Sequence, residues 1–212
     1  PRAQAIAFDA ATKRILAVGS IDDVRTKAPQ AKITDLGSTV LMPGFVEPHS
    51  HPFLGGILTQ APAYWVAPYV GYKTWEDVKT KISKADAEAP AGVPLIFNGV
   101  DRLLQQAPTP TRDILDLLAP SGRPILVFDN SGHALYFNTA VIKALGWVDG
   151  KPPKDPVGGS YGRNKDGTSN GVANEVPTMV DVGSSFIPQA IPHPLLSVAR
   201  WFAYMSSFGI TS

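Results

Sequence analysis

After Pro43-Gly44 the sequence alternates short apolar runs with longer stretches of helical periodicity, and this alternation limits the fold more than any other feature. It predicts βα units around a parallel sheet or barrel. The candidate barrel strands are residues 45–49, 94–98 and 124–129, with a weaker one at 171–176. Helices are expected between them. Thr74, with Asp77 three residues on, has the pattern of an N-cap for a helix reaching about Glu88, and Thr111 is placed to cap another over 112–118. Two more are expected over 137–145 and 193–208. Gly146 and Gly209 stand just past their ends, and Pro194 sits in the first turn of the second.

Before Pro43 the pattern differs. Apolar runs at 3–8 and 14–18, joined by a polar link, predict a β-hairpin; a short helical piece at 21–27 and strands at 32–36 and 39–42 follow. Residues 151–170 are rich in Gly, Pro and polar side chains, with Lys165-Asp166-Gly167-Thr168 as a turn, and read as a long loop or hairpin at a barrel mouth. Residues 210–212 look like the beginning of another strand.

Composition removes several classes of function. A net charge of +1, with no run of like charges, argues against nucleic acid or a polybasic membrane patch as partner. No apolar run approaches the ~20 residues that cross a bilayer. The absence of cysteine excludes disulfides, thiolate metal sites and thiol nucleophiles. A bound metal would have to be held by His and carboxylates. The expected setting is cytoplasmic, although Pro1 does not look like a native start.

The strongest local signal is Pro43-Gly44-Phe45-Val46-Glu47-Pro48-His49-Ser50-His51-Pro52. Strand side chains alternate between faces, so His49 and His51 would project to the same side. At the C-terminal end of a barrel strand, such a pair offers two imidazoles to one divalent ion, where barrel enzymes build their sites. Two histidines two apart also occur by chance in surface loops. The strand before this pair, the Pro-Gly lead-in and Pro52 after it favour ligands.

With these residues the chain resembles the amidohydrolase superfamily, within it the YtcJ-like branch (amidohydrolase family 3) that includes N-substituted formamide deformylases. The His-x-His segment is common to the superfamily. The branch is carried by Ser131-Gly132-His133-Ala134 with Asn138, by Pro156-Val157-Gly158-Gly159 followed by Asp166-Gly167, and by Gly171-Val172-Ala173-Asn174-Glu175. The resemblance implies the first half of a (β/α)8 TIM barrel over 43–212, stopping before strand five, preceded by part of a small β-sandwich over 1–42.

The implied activity is hydrolysis of a C–N bond in a small amide- or formamide-like molecule by metal-activated hydroxide. The metal would be one or two divalent ions, zinc the expected choice, held by His49, His51 and Glu175, with His133 binding substrate. No residue of this chain is assigned as catalytic, because the superfamily's later histidines and aspartate fall in the absent half. The chain would then be an incomplete portion of the enzyme, completed by further sequence, by a second chain or in a homo-oligomer. The alternatives are a deaminase of the same superfamily or a non-catalytic structural or interaction module. Asn138 is expected to steady its loop or cap a helix. His193 is read as an ordinary surface residue, and Asp101 and Asp129 equally as mouth residues or loop hydrogen-bonders. Tyr64, Trp65, Tyr69 and Tyr72 are read as aromatic packing over the rim, or as a pocket wall.

Overall fold

The computed structural model describes residues 2–212, so Pro1, the first residue of the expected sandwich portion, lies outside the described residues. The chain forms a mixed α/β structure that divides into two compact units, Pro1–Pro43 and Gly44–Ser212.

In the first unit β1 (Ala5–Asp9) and β2 (Arg14–Gly19) form an antiparallel hairpin, followed by α1 (Ile21–Lys27). Ser20 caps α1 by accepting from the Asp23 N–H at 3.1 Å. Its small core is Ala7, Ala17 and Val24. The strands expected at 32–36 and 39–42 do not form. Ile33, Val40 and Leu41 are exposed, and no neighbouring strand supplies a ladder among the described residues.

The second unit opens with α2 (Pro52–Thr59), then β3 (Tyr64–Trp65), α3 (Trp75–Glu88), β4 (Leu95–Val100), α4 (Arg112–Leu118), β5 (Ile125–Asp129) and β6 (Ala134–Phe137). It continues with α5 (Thr139–Ala144), β7 (Ser160–Arg163), β8 (Ser169–Asn174), α6 (Glu175–Gly183), α7 (Ile187–Ala190) and α8 (Pro194–Ser207). The strands make one sheet in the order β3-β4-β5-β6-β8-β7. Pairing is parallel from β3 to β5 and antiparallel from β5 onward.

Alternation along each strand splits the core into two layers. Phe97, Ile125, Val127 and Tyr136 face α3 and α4 with Val78, Ile82 and Leu115. Ile96, Leu126, Leu135 and Phe137 face the other way, towards Val141, Met179, Val182 and Ile191. β4 and β5 are buried on both faces, as their continuous apolar runs require.

Three expectations are corrected here. The segment 45–49 is not a regular strand: Phe45 makes an isolated parallel bridge to Ile210, supported by Glu47 N–H donating to the Ser212 carbonyl at 2.8 Å. Pro48 has no N–H with which to extend that ladder. The helix expected over 137–145 is only Thr139–Ala144, because Asn138 is its N-cap and residues 134–137 pair as β6. The stretch 171–176 is the end of an antiparallel strand and the start of α6. The Asp166-Gly167 turn sends β8 back along β7 and onto β6, so it does not join as a parallel barrel strand.

The most connected buried group is Arg123. Its Nε donates to Asp86 Oδ1 at 2.9 Å, Nη1 to the Pro90 carbonyl at 2.8 Å, and Nη2 to the carbonyls of Asp86 and Ala89, each at 3.1 Å. Both partners of the ion pair are 5% exposed. The guanidinium therefore satisfies the carbonyls at the end of α3 and ties that helix to the start of β5.

Asp86→Ala leaves this cation buried without its counter-charge and is expected to cost about 3–5 kcal/mol in urea denaturation. Gly171 has φ +83°, and a Cβ there would overlap the Phe137 carbonyl oxygen. Gly171→Ala is expected to lose ~1–3 kcal/mol in the same assay, more than Gly122→Ala, where φ is likewise positive at +75° but the surrounding space is open and only the backbone strain remains.

Candidate functional site

Two groups of polar side chains stand out, and the second lies beyond the C-terminal ends of the parallel strands β4 and β5. The first is the histidine pair. His49 and His51 are exposed, with ring centroids 5.3 Å apart and planes at 86°. Glu47, half-buried, folds back so that its Oε1 accepts the His49 N–H at 3.0 Å. His51 is the N-terminal cap residue of α2, with Pro52 at the first position. The helix is seated by a close approach to α8, since a Cβ on Gly56 would lie 2.7 Å from Val198 Cα.

The second group lines a cleft of about 490 Å³ bounded by Arg102, Asp129, His133, Tyr136, Asn174 and Glu175. The β5–β6 hairpin presents Asp129 at the end of one strand and His133 just before the next. Asp129 Oδ1 accepts from the Ser131 N–H at 2.9 Å and from its hydroxyl at 2.5 Å, and Oδ2 accepts from the Tyr136 hydroxyl at 2.9 Å. Burial pushes the Tyr136 phenol above its ordinary pKa, and the Asp129 carboxylate adds to the rise. Tyr136 therefore remains a hydrogen-bond donor at neutral pH.

β8 pairs with β6 in a register that sets Ala134 opposite Asn174, which brings the next residue, Glu175, to His133. The Glu175 N–H donates to the His133 carbonyl at 2.8 Å, and Glu175 Oε2 lies 2.8 Å from His133 Nδ1. Glu175 has φ +68°, in the left-handed region, a conformation that costs a non-glycine residue about 1–3 kcal/mol. An exposed ion pair returns little of that, so local stability does not account for the arrangement. Such strain is characteristic of functional positions.

The structure thus brings together His49 with His51, and His133 with Glu175. It does not bring Glu175 to the histidine pair. Against a divalent ion, the donor chemistry of His49 and His51 fits two coordination positions. No third His, Asp or Glu is assembled with them among the described residues.

Asn138 is a structural residue: its Oδ1 accepts the Ile125 N–H at 3.1 Å, and its Nδ2 donates to the Arg123 carbonyl at 2.8 Å. His193 is an exposed residue before α8. Tyr64 stacks on Phe97, and Trp65 meets Tyr69, Trp201 and Tyr204 edge-on, which is rim packing. Asp101 is occupied by the N–H groups of Leu103 and Leu104. Sequence reasoning missed Tyr136 and Arg102 in the cleft. The Tyr136 signal was its place in the short apolar run 134–137, whose last residue was read as the start of a helix.

The Glu175 hydrogen bond, then its charge, raises the His133 pKa above the ordinary histidine range, with a smaller push from Asp129. The raised folded-state pKa means that the pairing contributes fully below the unfolded-state value and is lost as pH rises through the folded value. In a proton NMR titration the His133 midpoint is expected above the ordinary histidine range and to fall in Glu175→Gln. An unchanged midpoint would contradict the contact.

Residues 32–212 match the family model described as amidohydrolase family. The chain is 28% identical over 161 residues to exoenzymes regulatory protein AepA of Pectobacterium carotovorum subsp. carotovorum, covering 74% of this chain and 33% of that protein. It is also 28% identical over 165 residues to an N-substituted formamide deformylase of Arthrobacter pascens, covering 76% and 29%. The chain therefore spans about a third of the length of the curated relatives it matches. Among solved structures, an uncharacterized metal-dependent hydrolase from Pyrococcus furiosus aligns with 98% of this chain and 39% of its own, with TM-score 0.56 and 19% identity. One from Pyrococcus horikoshii OT3 gives TM-score 0.53 and 15% identity over 98% and 38%. At these identities the structural likeness is one of fold, and it is the family model, matched over most of its length, that establishes that this chain belongs to the amidohydrolase family.

Proposed function

We propose that the chain is part of a metal-dependent hydrolase that cleaves a C–N bond in a small amide- or formamide-like molecule. In this reading residues 43–212 are the first half of a TIM barrel, preceded by part of a β-sandwich. The observation that carries it is the His49–His51 pair, two exposed imidazoles side by side just beyond the Phe45–Ile210 bridge. His49 and His51 would hold a divalent ion, zinc being our choice; Glu175, which pairs with His133 and stands apart from them, is carried as the carboxylate donor on the family resemblance alone. When bound, such an ion supplies Lewis acidity, acidifying water and polarising a carbonyl oxygen.

The chain's own residues prepare the cleft. His133, engaged through Nδ1, leaves Nε2 to bind a substrate oxygen. Tyr136 and Ser131 hold Asp129, which fixes the loop carrying His133. The formamide-like substrate class follows the relative named for N-substituted formamides. Completion by further chain, or by a second chain, is supported by apolar side chains exposed on α2 and α8, among them Phe53, Leu54, Leu195 and Phe202.

One observation favours a second reading, a non-catalytic structural portion: no group of three donors is assembled among the described residues. Metal analysis separates the two. The parent, purified with zinc replete, is expected to hold roughly one or two equivalents, lost in His49→Ala/His51→Ala while the circular dichroism spectrum is unchanged. A metal-free parent would sink the hydrolase reading.

A further inference from the structure

We propose that the cleft beside the β5–β6 hairpin binds a carboxylate: Arg102 takes the charge of a small acid, and Asn170 and Thr109 add hydrogen bonds to its oxygens. Binding of this kind needs no bound metal and so goes beyond the hydrolase reading. The charges in the cleft are unevenly engaged. Asp129 already accepts from Ser131 and from the Tyr136 hydroxyl, and Glu175 already pairs with His133. Arg112, Arg123 and Arg163 each meet an aspartate, whereas Arg102, the arginine that lines the cleft, has no carboxylate partner among the described residues. It stands beside the Tyr136 hydroxyl, where it weakly opposes the pKa rise that burial and Asp129 impose. A guanidinium left open in a cleft offers the paired N–H donors that fit the two oxygens of a carboxylate.

The backbone under Arg102 is fixed. Buried Gln105 donates through Nε2 to the carbonyls of Val66 and Tyr72, at 2.8 and 2.7 Å, and its Oε1 accepts the Asp101 N–H at 2.8 Å. Asp101 Oδ1 accepts from Leu103 and Leu104, and the Arg102 carbonyl accepts the Ala107 N–H at 3.0 Å. The same loop brings Thr109 to the cleft, its hydroxyl without a partner among the described residues.

The floor of the cleft is the sheet itself. Ala134 and Tyr136 on β6 stand opposite Asn174 and Val172 on β8, and Asn170 packs its amide into the space that a Cβ on Gly162 would need. Asn170 Oδ1 is buried there without a hydrogen-bond partner, an unmet acceptor that destabilises a fold. The amide is therefore not placed for stability, and Nδ2 is the end left to serve a ligand. With Ala134, Gly162 and Val172 supplying apolar surface among these donors, the cleft suits a carboxylate on a short, flat apolar body.

Benzoate, benzamide and benzylammonium are the probes, since they share a ring and differ in the charge of the head group. In NMR titrations of the metal-free chain, benzoate is expected to shift the Gly162 and Asn170 signals and to bind roughly 10-fold tighter than either of the others. Arg102→Gln, its fold checked by circular dichroism, is expected to weaken benzoate roughly 10–100-fold and to change benzamide by less than about threefold. Asn170→Leu nearly keeps the volume and is expected to weaken benzoate about 3–10-fold, while the urea midpoint holds or rises because the orphaned carbonyl is gone.

Absent benzoate binding, or equal or tighter binding of benzamide or benzylammonium, overturns the proposal, as do parent-like benzoate binding in Arg102→Gln and shifts that fall away from the cleft. Parent-like benzoate binding or a lowered urea midpoint in Asn170→Leu overturns the assignment of Asn170. None of these results depends on the metal content of the chain, so the hydrolase reading stands or falls separately.

Discussion

The second unit is organised around the buried Arg123 guanidinium. It lies where α3 ends and β5 is about to begin, and it satisfies carbonyls that would otherwise be stranded away from water. Its own carbonyl accepts from Asn138 Nδ2, and Asn138 Oδ1 in turn accepts the Ile125 N–H. One charge and one amide thus close the base of the β5–β6 hairpin. With that base fixed, the hairpin tip carrying Asp129, Ser131 and His133 has a defined position. A charge buried this deeply is costly unless every donor finds an acceptor, so the geometry around it tolerates little variation.

From that base the polar cleft follows in steps. β6 aligns β8, β8 ends at Asn174, and Glu175 begins α6 in contact with His133. Gly171 is what lets β8 approach so closely, since any side chain there would meet the Phe137 carbonyl. The histidine pair is set independently by the packing of α2 on α8. The two polar groups are thus positioned by different parts of the core, and a disturbance of one need not travel to the other.

Much of this was legible in the residues. The capping box of Thr74 and Asp77, the apolar runs of β4 and β5, and the extent of α8 follow from local pattern alone. The His-x-His segment and the SGHA and GVANE stretches identified the residues of interest. The errors have a common cause. Residues 134–137 and 169–174 are short, and although each joins a hairpin with its sequence neighbour, their pairing with each other is distant in sequence, so the antiparallel direction of β6 against β8 could not be read from periodicity. The His133–Glu175 contact depends on that direction and was equally hidden. The apolar residues of 32–42 have strand composition, but propensity without a neighbouring strand does not make a ladder.

His133 and Glu175 are 42 residues apart in sequence and joined by backbone as well as side-chain bonds. Between them β6 and β8 form a paired stem, and α5, the long connection and β7 make up the loop that it closes. The entropic cost of enlarging a loop whose ends are already pinned grows only slowly with its length. The connection from α5 to β7 is therefore free to lengthen, shorten or change composition over evolutionary time without altering the spacing of the two residues. It is a place where a shared scaffold can acquire new pocket walls while its histidine–glutamate contact stays constant.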